Sequence, residues 1–325
     1  MARNNFNTEI IAVRPLTEKI CEYQLRSLDR QPLPSYAPGA HIALHVVSPE
    51  HGLMVRHYSL LGGSATHDDP RHTYRIAIQR EHLGRCSSYL HSTLKPGQLV
   101  RVGPPVNDFP LDRHDSPVLL LAGGIGITPI FSMARSLIRR QVPFQLIYLG
   151  RAPHAMAYHD DVSQLCGRQV SYHYSERQGQ LDLTALLKEH ANVKRVYVCG
   201  PPAMIEATHQ AALQAGLGQN HVRSERFGVT RSQTARAFDV VLQRSGRTVR
   251  IGADATILDT LQAQGIPVLW DCRRGECGLC PLTVLAADGP LEHHDHYLSP
   301  EERSAGDSLC ICVSRIRGTQ LVLDA

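Results

Sequence analysis

Cysteine residues are distributed unevenly along the chain, and the spacing of one group is the clearest sign of chemistry. Cys272, Cys277 and Cys280 form the pattern C-x4-C-x2-C, and a further cysteine follows about thirty residues later, as in plant-type [2Fe-2S] ligand sets. The total of nine cysteines is odd and no export signal is evident, which argues against a disulfide framework. The pattern therefore predicts an iron–sulfur cluster, with a structural zinc site as the alternative.

The fourth cysteine ligand is left open by the spacing. Cys310 and Cys312 both lie on an apparent strand, where alternate residues face the same side, so periodicity allows either. In the loop that carries the first three cysteines, Gly275 and Gly278 permit a tight backbone. Its N–H groups can hydrogen-bond the cluster sulfurs.

A glycine-rich turn follows a strongly apolar segment in the middle of the chain. Residues 123–129 read Gly-Gly-Ile-Gly-Ile-Thr-Pro, between a predicted strand at 118–122 and a predicted helix. The glycines would let a pyrophosphate reach backbone N–H groups at the helix N-terminus. We place Thr128 at the N-cap of that helix and Pro129 at its first position. The alternative is a turn that only packs the helix closely on its strand.

A second turn, Cys199-Gly200-Pro201, ends a later apolar segment. Predicted strands at 118–122, 144–149 and 195–199 alternate with helical segments, which is typical of a parallel, doubly wound α/β sheet. The carboxyl ends of such strands meet at one edge, where these sheets bind ligands. We therefore expect the two turns to flank one crevice.

The two ends of the chain are built from short strands. Those at 40–47, 55–61 and 73–80 predict an antiparallel barrel. Two strands and a helix after residue 236 predict an α+β domain, preceded by a polar linker at 229–235. We expect three domains, at 1–112, 113–228 and 236–325, which agrees with a length of 325 residues.

Within the predicted barrel, two clusters could bind a flat, phosphorylated ligand. Arg56 and Tyr58 lie on one strand face and offer a cation and an aromatic ring, although an ordinary barrel strand is the alternative. Gly84, Ser87 and Ser88 could cradle an anion at the start of a helix, or form only a solvated turn.

Composition narrows the class of protein. The net charge is +4 without a long basic run, which disfavours nucleic-acid binding. Apolar runs fall short of the roughly 18 residues of a membrane span, and the first ten residues lack the apolar core of a signal peptide. We expect a soluble, cytoplasmic protein.

Together these motifs resemble the phthalate dioxygenase reductase family, which includes vanillate demethylase reductase components. The resemblance rests on Arg56-x-Tyr58-Ser59, the turn at 123–129, Cys199-Gly200-Pro201 and the C-terminal C-x4-C-x2-C, and it covers essentially the whole chain. It implies a flavin-binding β-barrel, an NAD-binding α/β domain and a β-grasp [2Fe-2S] ferredoxin domain, in that order. That order resembles the type that carries FMN rather than FAD.

The resemblance also implies residue roles. Arg56, Tyr58 and Ser59 would hold the flavin and Arg80 its phosphate-bearing chain, while Gly84, Ser87 and Ser88 would bind the phosphate. Phe227 resembles the aromatic residue that packs near the flavin. The nucleotide-binding positions would be Gly124, Gly126, Thr128, Pro129, Cys199, Gly200 and Pro201. The C-terminal segment, Cys312-Val313-Ser314-Arg315, selects Cys312 as the fourth ligand, and Cys310 is the alternative. The choice of Cys312 implies extra residues in the loop before it, around 287–291.

The implied function is that of a reductase component. It would pass electrons from NADH through FMN and the [2Fe-2S] cluster to a Rieske-type oxygenase, without an acid–base catalytic residue. A flavin is needed because NADH releases electrons in pairs and the cluster accepts one at a time. The alternatives are another acceptor, such as a cytochrome P450 or an amine-demethylating oxygenase, and a non-catalytic redox or zinc-binding module.

Three further expectations concern partners and nearby side chains. We expect a monomer that docks transiently on its oxygenase. Arg273 and Arg274 would either meet an acidic partner surface or be solvated, and His293, His294 and His296 would lie in a solvated loop rather than bind a metal. The choice between NADH and NADPH stays open.

Overall fold

The chain folds into two units, Met1–Arg226 and Phe227–Ala325, in a computed structural model. The structure describes residues 5–29, 31–49, 52–62, 71–81, 85–227, 236–253, 255–270, 273, 275, 278–295 and 297–325. The expected linker at 229–235 lies outside these ranges. Within them, no helix has both the length and the apolar character needed to cross a bilayer.

Six antiparallel strands form a nearly closed barrel in the first unit: β1 (Phe6–Pro15), β2 (Ile20–Ser27), β3 (His41–Ser48), β4 (Gly52–Ser59), β5 (Thr73–Gln79) and β6 (Leu99–Val102). They follow the order β4-β3-β6-β1-β2-β5. Alternate residues of β3, namely Ile42, Leu44 and Val46, are buried in the barrel core. Beyond β4, the Leu61 N–H donates to the Arg75 carbonyl of β5 at 3.1 Å, which brings the two edges together. A helix, α1 (Arg85–Thr93), follows β5.

Five parallel strands form the second sheet of this unit: β7 (Val118–Gly123), β8 (Phe144–Gly150), β9 (Val170–Tyr174), β10 (Arg195–Gly200) and β11 (Val222–Arg226). The connecting helices are α2 (Ile127–Arg139), α3 (His159–Cys166), α4 (Ser175–Gln178), α5 (Leu183–Glu189) and α6 (Pro202–Gln214). The strand order is β11-β10-β7-β8-β9. The chain therefore adds β8 and β9 on one side of β7 and then returns to add β10 and β11 on its other side, so the switch point lies between β7 and β10. Doubly wound sheets bind ligands at such a switch point, so the fold confirms the predicted class and locates its crevice.

The start of α2 differs from the expectation. A 3₁₀ turn, Gly124–Gly126, precedes the helix, so Gly126 is its N-cap and Thr128 is not. The Thr128 hydroxyl instead donates to the Ile125 carbonyl at 3.0 Å. Pro129 is the third residue of the helix rather than the first. It is tolerated there because N–H groups of the first turn have no partner within the helix.

The second unit is a mixed sheet with a short helix. Its elements are β12 (Phe238–Leu242), β13 (Arg247–Ile251), α7 (Ile257–Ala263), β14 (Pro281–Ala287), β15 (Leu291–Glu292), α8 (Pro300–Ala305), β16 (Ser308–Cys310), β17 (Arg315–Ile316) and β18 (Gln320–Leu323). The main sheet has the order β13-β12-β18-β14-β16, with β12 and β18 parallel. Thr256 caps α7 by accepting the Asp259 N–H at 2.9 Å, and the helix buries Ile257, Leu258 and Leu261 against the core. This arrangement is the expected β-grasp.

Candidate functional site

The barrel brings Arg56, Tyr58 and Cys86 close together. Arg56 and Tyr58 are two residues apart on β4, and Cys86 lies in the first turn of α1. Burial raises the pKa of the Tyr58 hydroxyl and the Cys86 thiol raises it further, whereas the Arg56 charge opposes both. The Arg56 guanidinium also donates to the Val55 carbonyl at 2.8 Å, which holds it against its own strand. A cation and a phenol are thus presented beside the N-terminus of α1.

Ser59, at the end of β4, is buried, and its hydroxyl has no hydrogen-bond partner among the described residues. Leaving a buried hydroxyl without a partner costs free energy. A flavin carries ring nitrogen and carbonyl groups that could pair with it. The orphaned hydroxyl next to Arg56 and Tyr58 therefore fits the predicted ligand.

The expected phosphate cradle is partly seen. Ser87 and Ser88 lie in the first turn of α1, where backbone N–H groups are available to an anion. The Ser87 hydroxyl accepts the Glu81 N–H at 3.0 Å, so it also joins α1 to the segment after β5. Arg80 is exposed one residue beyond β5. Gly84 lies outside the described residues.

The two predicted turns of the nucleotide crevice touch each other directly. β7 and β10 are neighbours, with Ala122 opposite Cys199. A Cβ added to Gly126 would lie 2.3 Å from the Cys199 carbonyl oxygen, and one added to Gly200 would lie 3.0 Å from the Gly123 Cα. Gly126 and Gly200 are therefore needed for backbone packing.

Gly124 differs from its neighbours because its surroundings are open. Its φ is +54°, and an added Cβ would meet no described atom within 4 Å. The Tyr148 hydroxyl donates to the Gly124 carbonyl at 3.2 Å and to the Ala157 carbonyl at 2.9 Å, which steadies the turn. Pro201 is exposed just after β10, and Phe227 directly follows β11, so both lie at the carboxyl edge of the sheet. At this edge, the backbone of Gly124 is open to the approach of a dinucleotide.

Three cysteine thiols meet in the second unit. Cys280, Cys310 and Cys312 are all buried, and the Cys280 and Cys312 sulfurs are 3.1 Å apart. Hydrogen bonds from the thiols of Cys310 and then Cys312 lower the pKa of Cys280 to about 3. Strand β16 ends at Cys310 and the chain then turns, so the single strand assumed for both cysteines is wrong. Cys272 and Cys277 lie outside the described residues.

The glycines of the cysteine loop are needed for close approach. Gly275 has a φ of +74°, and a Cβ there would lie 2.7 Å from the Val313 side chain. Gly278 has a φ of +71°, and a Cβ there would lie 2.2 Å from the ring of Tyr297. Side chains at either position would push the loop away from the segments that carry Tyr297 and Val313.

Two expectations about charged side chains are corrected. Arg273 is neither solvated nor free to meet a partner: its guanidinium lies 4.1 Å from the Trp270 ring centre and donates to Asp259 and Gln262. The His293 side chain is only 9% exposed, because the segment after β15 folds back onto the domain, so it is not in a solvated loop. His294 is half-buried, whereas Arg274 and His296 lie outside the described residues.

Comparison with known proteins places these features in one family. Residues 240–317 match the model of a 2Fe-2S iron-sulfur cluster binding domain, and residues 120–210 match that of an oxidoreductase NAD-binding domain. The solved structure of phthalate dioxygenase reductase superposes with a TM-score of 0.84 and 30% identity, covering 99% of this chain and 98% of that one. The chain belongs to the phthalate dioxygenase reductase family.

Curated relatives extend this result along the whole chain. The toluene-4-sulfonate monooxygenase system reductase subunit of Comamonas testosteroni is 36% identical, with 97% of each chain covered. The beta subunit of a heme-dependent oxidative N-demethylase from Ectopseudomonas mendocina is also 36% identical, with 98% of each covered. This member of the phthalate dioxygenase reductase family is an electron-transfer oxidoreductase with NAD-binding and [2Fe-2S] domains, rather than a non-catalytic module.

The residues present fit the cofactors of that family. Convergent buried thiols are the donor set of an iron–sulfur cluster, and the orphaned Ser59 hydroxyl with Arg56 and Tyr58 suits a flavin.

Sequence reasoning missed two buried ionic groups: the Glu22–Arg75 pair of the barrel and Asp295 beside the cysteine loop. Glu22 and Arg75 are 53 positions apart, and Ser314 is 19 positions from Asp295, so no local pattern marks these contacts.

Proposed function

We propose that this reductase takes electrons from NADH, uses FMN as its flavin, and delivers single electrons through a [2Fe-2S] cluster to a Rieske-type oxygenase of aromatic compounds. The observation that carries the proposal is the presence, in one chain, of a glycine crevice at a doubly wound switch point and three converging buried thiols. The first suits a two-electron nucleotide donor and the second a one-electron acceptor. A flavin supplies the exchange between paired and single electron transfer.

Each group of residues has a distinct task in this proposal. Arg56, Tyr58 and Ser59 bind and orient the isoalloxazine end of the flavin, with Arg80, Gly84, Ser87 and Ser88 on its phosphate chain. Gly124 presents open backbone to the dinucleotide, next to Thr128, Pro129 and Cys199–Pro201, while Gly126 keeps the two turns in contact. Cys272, Cys277, Cys280 and Cys312 hold the cluster. The resemblance of the segment Cys312-Val313-Ser314-Arg315 to the family's C-terminus supports Cys312 over Cys310, since the thiols of both cysteines lie against Cys280.

We also propose the domain bounds 1–112, 113–228 and 236–325, and a cytoplasmic monomer. The division of the chain near residue 226 supports the boundary between the second and third domains. Sedimentation of the purified holoprotein at several concentrations tests the monomer: a constant mass near that of one polypeptide, 36.0 kDa, is expected, and a concentration-dependent mass contradicts it.

The electron pathway is tested by anaerobic titration. Stepwise NADH should bleach both the flavin and the iron–sulfur absorption, and the reduced cluster should give an electron paramagnetic resonance signal. A parallel titration with NADPH tests nucleotide choice, and the proposal expects much slower bleaching. A colourless protein that contains zinc instead of iron would refute the cluster assignment.

The flavin site is tested with a substitution at Ser59. Because the Ser59 hydroxyl lacks a described protein partner, Ser59→Ala should leave the unfolding of the flavin-free protein nearly unchanged. It should weaken FMN binding about 2- to 12-fold, the value of one hydrogen bond. Ser48→Ala, at an equally buried serine of β3, is the control and should leave FMN affinity unchanged. Preference for FAD over FMN in the same assay would contradict the flavin assignment.

A heme-containing demethylase is the second candidate acceptor. It is favoured by the full-length similarity to the beta subunit of a heme-dependent oxidative N-demethylase. Reconstitution of the NADH-reduced protein with a Rieske oxygenase and, separately, with a heme-dependent demethylase distinguishes them. Faster single-turnover reduction of the Rieske centre supports the first proposal, and faster heme reduction supports the second.

A further inference from the structure

Asp295 is a buried carboxylate with partners on three sides. Only 1% of the residue is exposed. The Ser314 hydroxyl donates to Oδ1 at 3.0 Å, and the Leu298 N–H donates to Oδ2 at 3.0 Å. Arg303 donates to the Asp295 backbone carbonyl at 2.6 Å and places the same nitrogen 3.8 Å from Oδ2. A carboxylate in this setting stays buried only because these groups satisfy it.

These contacts join the two segments that carry the thiols. On one side, Ser314 follows Cys312 by two residues, and its N–H donates to the Cys310 carbonyl at 3.0 Å, which closes the turn around Cys312. On the other side, Tyr297 donates its N–H to the Gly275 carbonyl of the cysteine loop at 3.0 Å. Asp295 lies between these two attachments.

The backbone of Asp295 also contacts the cysteine loop directly. A Cβ on Gly275 would lie 2.7 Å from the Asp295 Cα, so the two backbones touch. Asp295 and Tyr297 are therefore held to Gly275 of the loop, the first by a close backbone contact and the second by a hydrogen bond. Asp295 is linked in addition to the opposite segment. This segment, the 310–314 turn, is held by the Asp295–Ser314 bond and by the His294 N–H, which donates to Ser314 Oγ at 3.1 Å.

We propose that Asp295 is a positioning residue for the cluster: it sets the separation between Gly275 of the cysteine loop and the turn 310–314. The inference rests on the proposed ligands Cys272, Cys277, Cys280 and Cys312. Removing the carboxylate frees Ser314 and Leu298 from their shared partner, so the turn and the loop can move apart. Outer contacts of this kind typically change metal affinity about 10- to 100-fold.

The test compares Asp295→Ala with Asp288→Ala in the full-length holoprotein. Asp288 accepts the N–H groups of Thr319 and Gln320 at 2.8 and 2.9 Å, so its loss disturbs the same domain without touching the cysteine segments. The measurements are the rate at which an iron chelator removes the cluster and the hydrogen exchange of the Tyr297 amide. Flavin reduction by NADH serves as the check that the first unit is intact.

Asp295→Ala should release iron roughly 10- to 100-fold faster than the unaltered chain and expose the Tyr297 amide, whereas Asp288→Ala should do neither. Asp295→Asn, which keeps one acceptor oxygen, should release iron at a rate between those of Asp295→Ala and Asp288→Ala. Ser314→Ala should also accelerate release, because it removes the bonds of Ser314 to both Asp295 and His294. The double variant should release iron more slowly than the product of the two single effects, because both substitutions remove the Asp295–Ser314 bond.

Equal release rates for Asp295→Ala and Asp288→Ala overturn the inference. If Asp295→Ala does not fold, Asp295→Asn and Ser314→Ala decide it in the same way. Absence of a two-iron cluster from the unaltered chain contradicts instead the proposed function, so the two failures are distinguishable.

Discussion

The buried ion pair of the barrel gives the sharpest prediction about stability. Glu22 and Arg75 are 1% and 6% exposed, and the Arg75 guanidinium lies 2.6 Å from Glu22 Oε2. Arg14 approaches the same oxygen at 3.4 Å. Glu22→Gln keeps the shape of the side chain but removes its charge, which leaves Arg75 buried without an anion. Breaking a buried pair in this way costs about 3 to 5 kcal/mol.

The lower end of that range applies here, because the glutamine oxygen still accepts one hydrogen bond from Arg75. With a urea dependence of about 3 kcal/mol per molar, a loss of about 3 kcal/mol lowers the unfolding midpoint of the first unit by about 1 M. Circular dichroism follows this transition. The single tryptophan, Trp270, lies in the second unit and reports that unit separately, where no shift is expected.

The control is Glu9→Gln in the same barrel. Glu9 pairs with Arg26 at 3.0 Å, but their side chains are 31% and 50% exposed, so the loss should stay below about 1 kcal/mol. A second variant combines Glu22→Gln with Arg75→Met and should recover much of the lost stability, because no buried charge is then left alone. Equal midpoints for Glu22→Gln and Glu9→Gln would refute the reasoning.

The same pair predicts a pH dependence. Burial alone would raise the pKa of Glu22, but the hydrogen bond and charge of Arg75, together with Arg14, outweigh it and lower the pKa. The stabilisation is therefore fully present above the unfolded value of about 4.3 and is lost as the pH falls through the lower folded value. The difference in unfolding free energy between the unaltered chain and Glu22→Gln should narrow in that acidic range and stay constant near pH 7.

Three further predictions concern the cofactor sites and α7. Cys312→Ala should abolish retention of two irons per chain while Cys310→Ala retains them, and iron analysis that gives the reverse order would assign Cys310 as the ligand. Gly126→Ala should slow flavin reduction by NADH and destabilise the first unit, because its Cβ would lie 2.3 Å from the Cys199 carbonyl oxygen; unchanged kinetics would contradict the packing role. Thr256→Ala removes the N-cap of α7 and should lower the unfolding free energy of the second unit by about 1 kcal/mol in urea titrations, with no loss expected for Thr256→Ser.

Local spacing was enough to predict the segments that we propose to bind the cofactors. The C-x4-C-x2-C loop, the glycine turn and the Cys199-Gly200-Pro201 turn are short motifs whose chemistry depends on residues close in sequence. Those strands that were predicted, such as β8 and β10, agree with the structure to within a few residues, because apolar runs and glycine turns mark them. Strands β1, β2, β6, β9 and β11 were not predicted. The error at Thr128 arose within one such motif, because the 3₁₀ turn Gly124–Gly126 leads directly into α2, which begins at Ile127 and therefore earlier than predicted.

Contacts between distant residues needed the tertiary structure. Glu22 meets Arg75 across 53 positions, Asp295 meets Ser314 across 19, and Cys280 approaches Cys312 across 32. Such pairs depend on strand register and on how a loop folds back, and neither leaves a local pattern in the sequence. The sequence by itself determined which chemistry the chain carries. The fold decided which backbones touch at Gly126 and which side chains hold the cysteine segments in place, because burial and partner choice arise only when remote strands pack together.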